Sequence, residues 1–433
     1  MIAQVARRRK QPLLPRTFDG RKGSTLNKYF RQLVVLLPHA QISCCLVSVL
    51  LAIALCAPVL AQTPRSAWMW SSSSHPMGAT NVLGNKVKER QVIADFKYWG
   101  FDRIYTSVGT LPISTPQVPA SWNATLDDAN ISSQMLFGLI DFNPAQMASL
   151  VQSRLVTFNN SRVDPRERFD AVHLDLEPHV RSGWSSATPS EKHAILIELR
   201  DTYSAIRAQL DDNGCSYVKI YSDLPVWFDG LTSNLGWANP ADRDQWFDDI
   251  ALSLDGFSMM AYERSTLSSI VSGVGYEVAN FDGEVRIGLN VAEIGPGDTF
   301  ESFDALMEMA ESLEAYYGTS IGGIDFHAVT SFSDLAPARS PGDYNGDGRV
   351  DAADYTAWRD NLNSTSQLSA DGDFDGVVGV SDYELWKSNY GKTGSGSSLT
   401  ASGILIPEPA SLLLWGAGLS VWPIKRDRGT LRP

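Results

Sequence analysis

The chain has 433 residues, 43% of them hydrophobic and 20% charged, with a formal net charge of -13. That length accommodates one large domain and something smaller. The acidity argues against a nucleic-acid partner, because phosphate binding needs a basic face.

The N-terminal region is basic ("ARRRK", then Arg16, Arg21, Lys22 and Arg31) and runs into the apolar stretch "CCLVSVLLAIALCAPVLAQ". Positive region, apolar region and a small residue before the cut are the order of a secretory signal. Residues 1–61 are therefore expected to be a signal peptide cleaved after Ala61. The basic region is long, so a start codon placed too far upstream and an uncleaved anchor stay open as alternatives. Cys44, Cys45 and Cys56 lie in this segment, leaving Cys215 alone in the mature chain. One thiol makes neither an internal disulfide nor a cysteine metal site.

From residue 62 to 337 strand-like runs alternate with amphipathic stretches. The runs are "SAWMWS", "FDRIYTSV", "QMLFGLIDF", "FDAVHLDLEP", "YVKIYSDLPVWF", "DGFSMMAY", "VRIGLNVAEI" and "IGGIDFHAVTSF". Between them, "KERQVIADFKYWG" puts Val92, Phe96 and Trp99 on one helical face. Thr188, Pro189 and Glu191 spell a cap, a first-turn proline and a capping-box glutamate. Asp298 and Glu301 suggest the same device for a later helix that stops at Gly318. Eight such units fit an α/β (β/α)8 TIM barrel, which needs about 250 residues. A doubly wound open sheet is the rival, but no Gly-rich phosphate loop follows the first strand.

The fourth run, "FDAVHLDLEPH", carries His173, Asp175 and Glu177 at every second position. Side chains alternate faces along a strand, so all three point into the barrel while Val172, Leu174 and Leu176 meet the helices. Chemistry in such barrels sits at the C-terminal strand ends. The structural alternative is a hydrogen-bonded polar plug, and a metal held by His173, Asp175 and Glu177 lacks a second His-rich strand to support it.

Asp170, Asp175 and Glu177 match the first, third and last acidic positions of the Asp-x-x-Asp-x-Asp-x-Glu strand of glycoside hydrolase family 18. His173 stands where the middle aspartate belongs. Met260-Ala261-Tyr262-Glu263 is similar to that family's Met-x-Tyr-Asp, and Gly322-Gly323-Ile324 opens a last strand like its eighth, although Phe326 departs from the usual tryptophan region. The chain thus resembles a divergent chitinase-like member. The resemblance implies Glu177 as general acid, Asp175 assisting the substrate's own acetamido group, and Tyr262 bonding the acetamido oxygen. It also implies sugar contacts from Asp170, His173 and Glu263, and no cofactor for the barrel. An anionic Asp175 is expected to raise the pKa of Glu177, and His173 to donate to Asp175. Trp68, Trp70, Trp184 and Trp227 are candidate stacking platforms, with packing as the alternative for each. Glu177-Pro178 also resembles the end of strand four in retaining barrel glycosidases, where Glu293 would be the nucleophile of a direct displacement. A non-catalytic glycan-binding barrel is the rival from another class.

After "APARSPG" the character changes. "DYNGDGRVDAAD" sets Asp343, Asn345, Asp347, Asp351 and Asp354 around Gly348. The pattern recurs 28 residues on in "DGDFDGVVGVSD" with Asp371, Asp373, Asp375 and Asp382. Calcium takes six to eight oxygens, and this spacing folds carboxylates around one ion. Arg349 and Val377 offer backbone carbonyls, and water fills in at Gly379. Each loop leads into Tyr-x-x-Trp, at Tyr355–Trp358 and Tyr383–Trp386. Residues 340–392 resemble a type I dockerin, which implies two calcium ions and a cohesin-bearing scaffold as partner, chosen through Ala352, Ala353, Val380 and Ser381.

Residues 393–405 read as a flexible linker. Residues 406–430 combine Pro407-Glu408-Pro409, an apolar stretch and Lys425, Arg426 and Arg428. This resembles the PEP-CTERM sorting segment of Gram-negative bacteria, implying a transmembrane helix and transient contact with membrane and sorting machinery. The expectation is an exported glycoside hydrolase acting on an N-acetylhexosamine polysaccharide at the cell surface or in the matrix.

Overall fold

The computed structural model describes residues 63–393. The signal peptide, the sorting segment with its expected membrane helix, and all but the first residue of the linker lie outside them. Among the described residues no helix is long and apolar enough to cross a membrane.

Each of the eight predicted runs is a strand: β1 (Arg65–Met69), β2 (Phe101–Thr106), β3 (Ser132–Leu139), β4 (Ala171–Leu176), β5 (Lys219–Pro225), β6 (Gly256–Met260), β7 (Glu284–Asn290) and β8 (Gly323–His327). They close in sequence order into one parallel barrel, completed where Ser66 and Ala67 of β1 pair with Asp325 and Phe326 of β8. Parallel strands need long crossovers, and helices supply them. They are α1 (Lys86–Tyr98), α2 (Gln117–Asp128), α3 (Pro144–Val151), α4 (Pro189–Asp212), α5 (Pro240–Ala251), α6 (Leu267–Asn280) and α7 (Phe303–Tyr317), with α8 (Val329–Leu335) after β8.

Local sequence sets these helices. α4 starts at the expected capping box: Thr188 Oγ1 accepts from the Glu191 amide at 3.3 Å, and the Thr188 amide donates to Glu191 Oε2 at 2.7 Å. α7 corrects the sequence expectation. Its cap is Ser302, whose hydroxyl accepts from the Ala305 amide at 3.1 Å, not Asp298 with Glu301. Serine is as good a cap as aspartate, and starting there places Phe303 in the core. Gly318 ends the helix with φ of 54°, a left-handed conformation that glycine adopts without steric cost.

The strand period divides the residues into two populations. Val172, Leu174, Leu176, Ile220, Phe257, Ile287 and Ile324 point outward and join the helix–sheet core. The inward positions are polar and aromatic: Ser66, Trp68, Tyr105, Gln134, His173, Asp223, Ser258, Arg286 and Asp325 are all buried. Low in the barrel, Arg286 Nε donates to Asp325 Oδ1 at 2.7 Å, Ser66 Oγ donates to the same oxygen at 2.6 Å, and Tyr105 Oη donates to Ser66 Oγ at 2.9 Å. Burial would raise the Asp325 carboxyl, but Arg286 and its hydroxyl partners outweigh that and lower it. The interior is therefore a packed polar column.

Past the barrel, α9 (Ala352–Asp360) and α10 (Val380–Asn389) form a small module with two acidic loops.

Candidate active site and calcium loops

β4 carries its charges toward the mouth in order. His173 is buried, Asp175 half-buried, and Glu177 lies just beyond the strand end. His173 stacks on Tyr105 with ring centroids 3.7 Å apart. Its Nδ1 is 3.1 Å from Gln134 Oε1, and its Nε2 is 2.9 Å from Asp223 Oδ1. Asp223 Oδ2 accepts from Trp68 Nε1 at 3.0 Å. Burial pushes His173 down to about 3 and Asp223 well above the usual carboxylate range. A neutral pair satisfies every group: Asp223 donates its proton to Nε2, and Nδ1–H donates to Gln134. The expected donation from His173 to Asp175 is therefore not made. The reason is register: His173 lies opposite Tyr221 and Leu174 opposite Ser222, so Asp223 projects into the space between the histidine and Asp175.

Asp175 is raised well above the usual range by burial first, then by Glu177 beside it. Its Oδ1 is buried with no partner. Glu177 is also raised, by burial rather than by an anionic neighbour, and a hydrogen bond with Asp175 pulls it partly back. Burial thus raises both carboxyls, and Asp175 is the more deeply buried of the two.

Both line a cleft of about 520 Å³ with Trp70, Gly138, Leu139, Ile140 and Asp141, a volume within the usual range for small-ligand sites. Gly138 sits opposite Asp175 in the β3–β4 register. A Cβ on Gly138 would lie 2.7 Å from Trp70 Cζ3, so its absence lets the indole lie beside the carboxyls. Trp70 Nε1 donates to His327 Nε2 at 3.0 Å. Burial lowers His327 to about 4, leaving that nitrogen free to accept. Tyr262, just past β6, tilts against His327 at 5.3 Å. Burial keeps its hydroxyl protonated and able to donate.

The remaining sequence candidates lie elsewhere. Glu263 is exposed. Trp184 is half-buried in a short turn, 6.3 Å from Trp227. Glu293 is exposed on the loop after β7, accepting from Thr299 Oγ1 at 3.2 Å. Asp170 is at the opposite end, accepting from Ser132 Oγ and the Ser133 amide, each at 2.9 Å. It borders a separate cavity of about 270 Å³ with Arg103, Lys219 and Tyr221. Sequence reading missed Asp223, Gln134, Gly138 and His327. Strand parity could have flagged Asp223, since "KIYSDLP" places it on the same inward face as Tyr221.

The acidic loops share one design. Asp343 accepts from the Gly346 and Gly348 amides, both at 2.9 Å. Asp371 accepts from the Asp375 amide at 3.1 Å and the Gly376 amide at 2.9 Å. The closing residues act alike. Asp354 accepts from Tyr344, Asn345 and Asp351 amides, and Asp382 from those of Gly372, Asp373 and Gly379. The carboxylates of Asp371, Asp373 and Asp375 lie within 4.8 Å of one another, and donors of oxygen alone suit a hard cation. The two halves clasp reciprocally. Trp358 Nε1 donates to the Gly379 carbonyl at 2.7 Å, and Trp386 Nε1 donates to the Asp351 carbonyl at 2.8 Å. These carbonyls hold equivalent loop positions, which explains why Tyr-x-x-Trp recurs.

Residues 341–389 match the model of the dockerin type I domain. The class defined by fold and module is thus a (β/α)8 barrel followed by a dockerin. Similar solved structures include a GH18 chitinase from Pseudoalteromonas aurantia, at 12% identity and a TM-score of 0.43, covering 63% of this chain and 97% of that one. A family 18 chitinase from Crocus vernus is similar at 13% identity and a TM-score of 0.36, over 63% and 94%. A GH18 chitinase from Cycas revoluta in complex with (GlcNAc)3 is similar at 13% identity and a TM-score of 0.39, over 63% and 96%. A search of curated proteins returned no match.

Proposed function

We propose that the barrel is a glycoside hydrolase acting on a polysaccharide containing N-acetylhexosamine, by the substrate-assisted route. The observation that carries this is Asp175, a neighbour of Glu177 that burial raises and whose Oδ1 is buried without a partner beside an open cleft. An acetamido N–H entering the cleft gives that oxygen a donor. Hydrogen bonding to the charged form favours it, so Asp175 ionises and passes its proton to Glu177. Glu177 then protonates the leaving oxygen as the glycosidic bond breaks, and the acetamido carbonyl oxygen closes on the anomeric carbon. Asp175 stabilises the positive charge of that ring, while Tyr262 donates to the acetamido group and Trp70 offers a stacking face.

The module binds two calcium ions through Asp343, Asn345, Asp347, Asp351 and Asp354, and through Asp371, Asp373, Asp375 and Asp382, with the carbonyls of Arg349 and Val377. Calcium holds each loop closed, and the folded module attaches the enzyme to a cohesin-bearing scaffold. Export to the cell surface fits both a polysaccharide substrate and a scaffold partner.

Hydrolysis of N-acetylglucosamine oligosaccharides with and without a thiazoline mimic of the cyclised acetamido group tests the route. The mimic is expected to inhibit. Turnover insensitive to it but stopped by Glu293→Gln would instead support direct displacement, and binding without turnover would support a glycan-binding barrel.

A further inference from the structure

The two calcium loops are equivalent by sequence, yet one position breaks the equivalence. The fourth position is Gly346 in the first loop and Phe374 in the second. Both are left-handed, with φ of 75° and 61°. Glycine takes that conformation freely, whereas a side chain such as phenylalanine disfavours it. The second loop therefore carries strain that the first does not.

Phe374 is also the residue that the barrel grips. Arg90, on the outer face of α1, donates from Nε to the Phe374 carbonyl at 2.8 Å and from Nη2 to the same oxygen. Its guanidinium lies 3.7 Å from Asp371 Oδ2 and against Gly376, where a Cβ would come within 3.0 Å of it. Arg339, after the last barrel strand, stacks on the Phe374 ring at 5.7 Å and pairs with Asp95 of α1 at 3.7 Å. Tyr98 of the same helix faces Gly346, whose added Cβ would meet it at 3.5 Å. Both loops thus face α1. The bonded carbonyl belongs to a residue between two of the expected ligands and is not itself one of the expected ligand atoms, and the guanidinium approaches the expected ligand Asp371 Oδ2 only to 3.7 Å, beyond hydrogen-bond distance.

We propose that α1, through Arg90, is a docking surface that holds the second calcium loop in its ion-binding shape, so that docking of the module on the barrel and calcium binding at that loop strengthen each other. This rests on the reading of the loops as calcium sites. Two effects oppose here: the guanidinium repels the cation, and its hydrogen bonds hold Phe374 where the loop needs it. The loop's four aspartates keep its charge negative even with calcium bound, so Arg90 remains attracted and the ordering effect prevails. Linkage is reciprocal, so calcium must in turn favour docking.

Calcium titration calorimetry on the full chain tests this with Arg90→Ala, Phe374→Gly and the double variant, alongside hydrogen exchange over residues 86–98 and 371–382. Arg90→Ala is expected to weaken one of two calcium affinities about tenfold, the cost of an unsupported left-handed residue, and to speed exchange on both α1 and the loop. Adding Phe374→Gly should restore that affinity while exchange on α1 stays fast. Unchanged or tightened calcium binding in Arg90→Ala would overturn the linkage and leave the calcium sites standing. No calcium uptake by the unaltered chain would overturn both.

Discussion

His173 Nε2 lies 2.9 Å from Asp223 Oδ1, so the histidine that interrupts the acidic strand is committed to the neighbouring strand and not to Asp175. As a neutral pair, the two place no net charge in the barrel interior. Asp223→Asn should then be tolerated, because an amide N–H replaces the carboxyl proton facing Nε2. Its cost is expected to stay below about 1 kcal/mol, whereas His173→Ala, which strands Asp223 and opens a void, should cost about 2–4 kcal/mol. Urea denaturation measures both. An ionic pair would reverse the first result, since removing one charge from a buried pair costs about 3–5 kcal/mol.

Glu277 on α6 is fully buried, and neither carboxyl oxygen has a partner. Burial, then Asp229, raises it from 4.5 to about 8. Between those values the folded chain holds a proton that the unfolded chain has released, so stability falls as pH rises through that window. Glu277→Gln should remove this fall and gain a few kcal/mol at pH 8 relative to pH 5, at about 1.4 kcal/mol per pKa unit. Chemical denaturation at the two pH values would show it, and parallel losses in both proteins would contradict it.

Gly138→Ala should disturb the cleft without unfolding the barrel. The added methyl meets the Trp70 ring at 2.7 Å, and overpacking of this kind costs about 1–3 kcal/mol. The indole must leave its place beside Asp175, so binding of N-acetylglucosamine oligosaccharides should weaken about tenfold or more, the scale of a lost stacking contact. Titration followed by tryptophan fluorescence reads both the displacement and the affinity.

The strand order was legible because eight apolar runs alternate with amphipathic ones, and Glu177 and Asp175 were legible because a strand's period is two. The same parity marks Asp223 as inward-facing, but its pairing with His173 was not legible, since that depends on the β4–β5 register, a long-range property that no local pattern encodes. That burial, not an anionic neighbour, raises Glu177 was missed for a similar reason. Spacing shows that two carboxyls are neighbours, but burial decides which is the weaker acid. The cap of α7 was misplaced because two plausible capping residues precede Phe303, and core packing chose the nearer.

Removing calcium should destabilise the module while leaving the barrel intact, because loops of clustered carboxylates repel once the cation is gone. Two separate thermal transitions with calcium chelated, and an upward shift of the lower one on adding calcium, are expected. Circular dichroism and calorimetry together would follow both.

The most direct measurement compares hydrolysis of N-acetylglucosamine oligosaccharides by the unaltered chain, Glu177→Gln and Asp175→Asn. Turnover by the unaltered chain is expected to be measurable and to fall at least about a hundredfold in each variant, the contribution of a positioned proton donor, with oligosaccharide affinity retained in Glu177→Gln. Turnover undiminished in Glu177→Gln would contradict this.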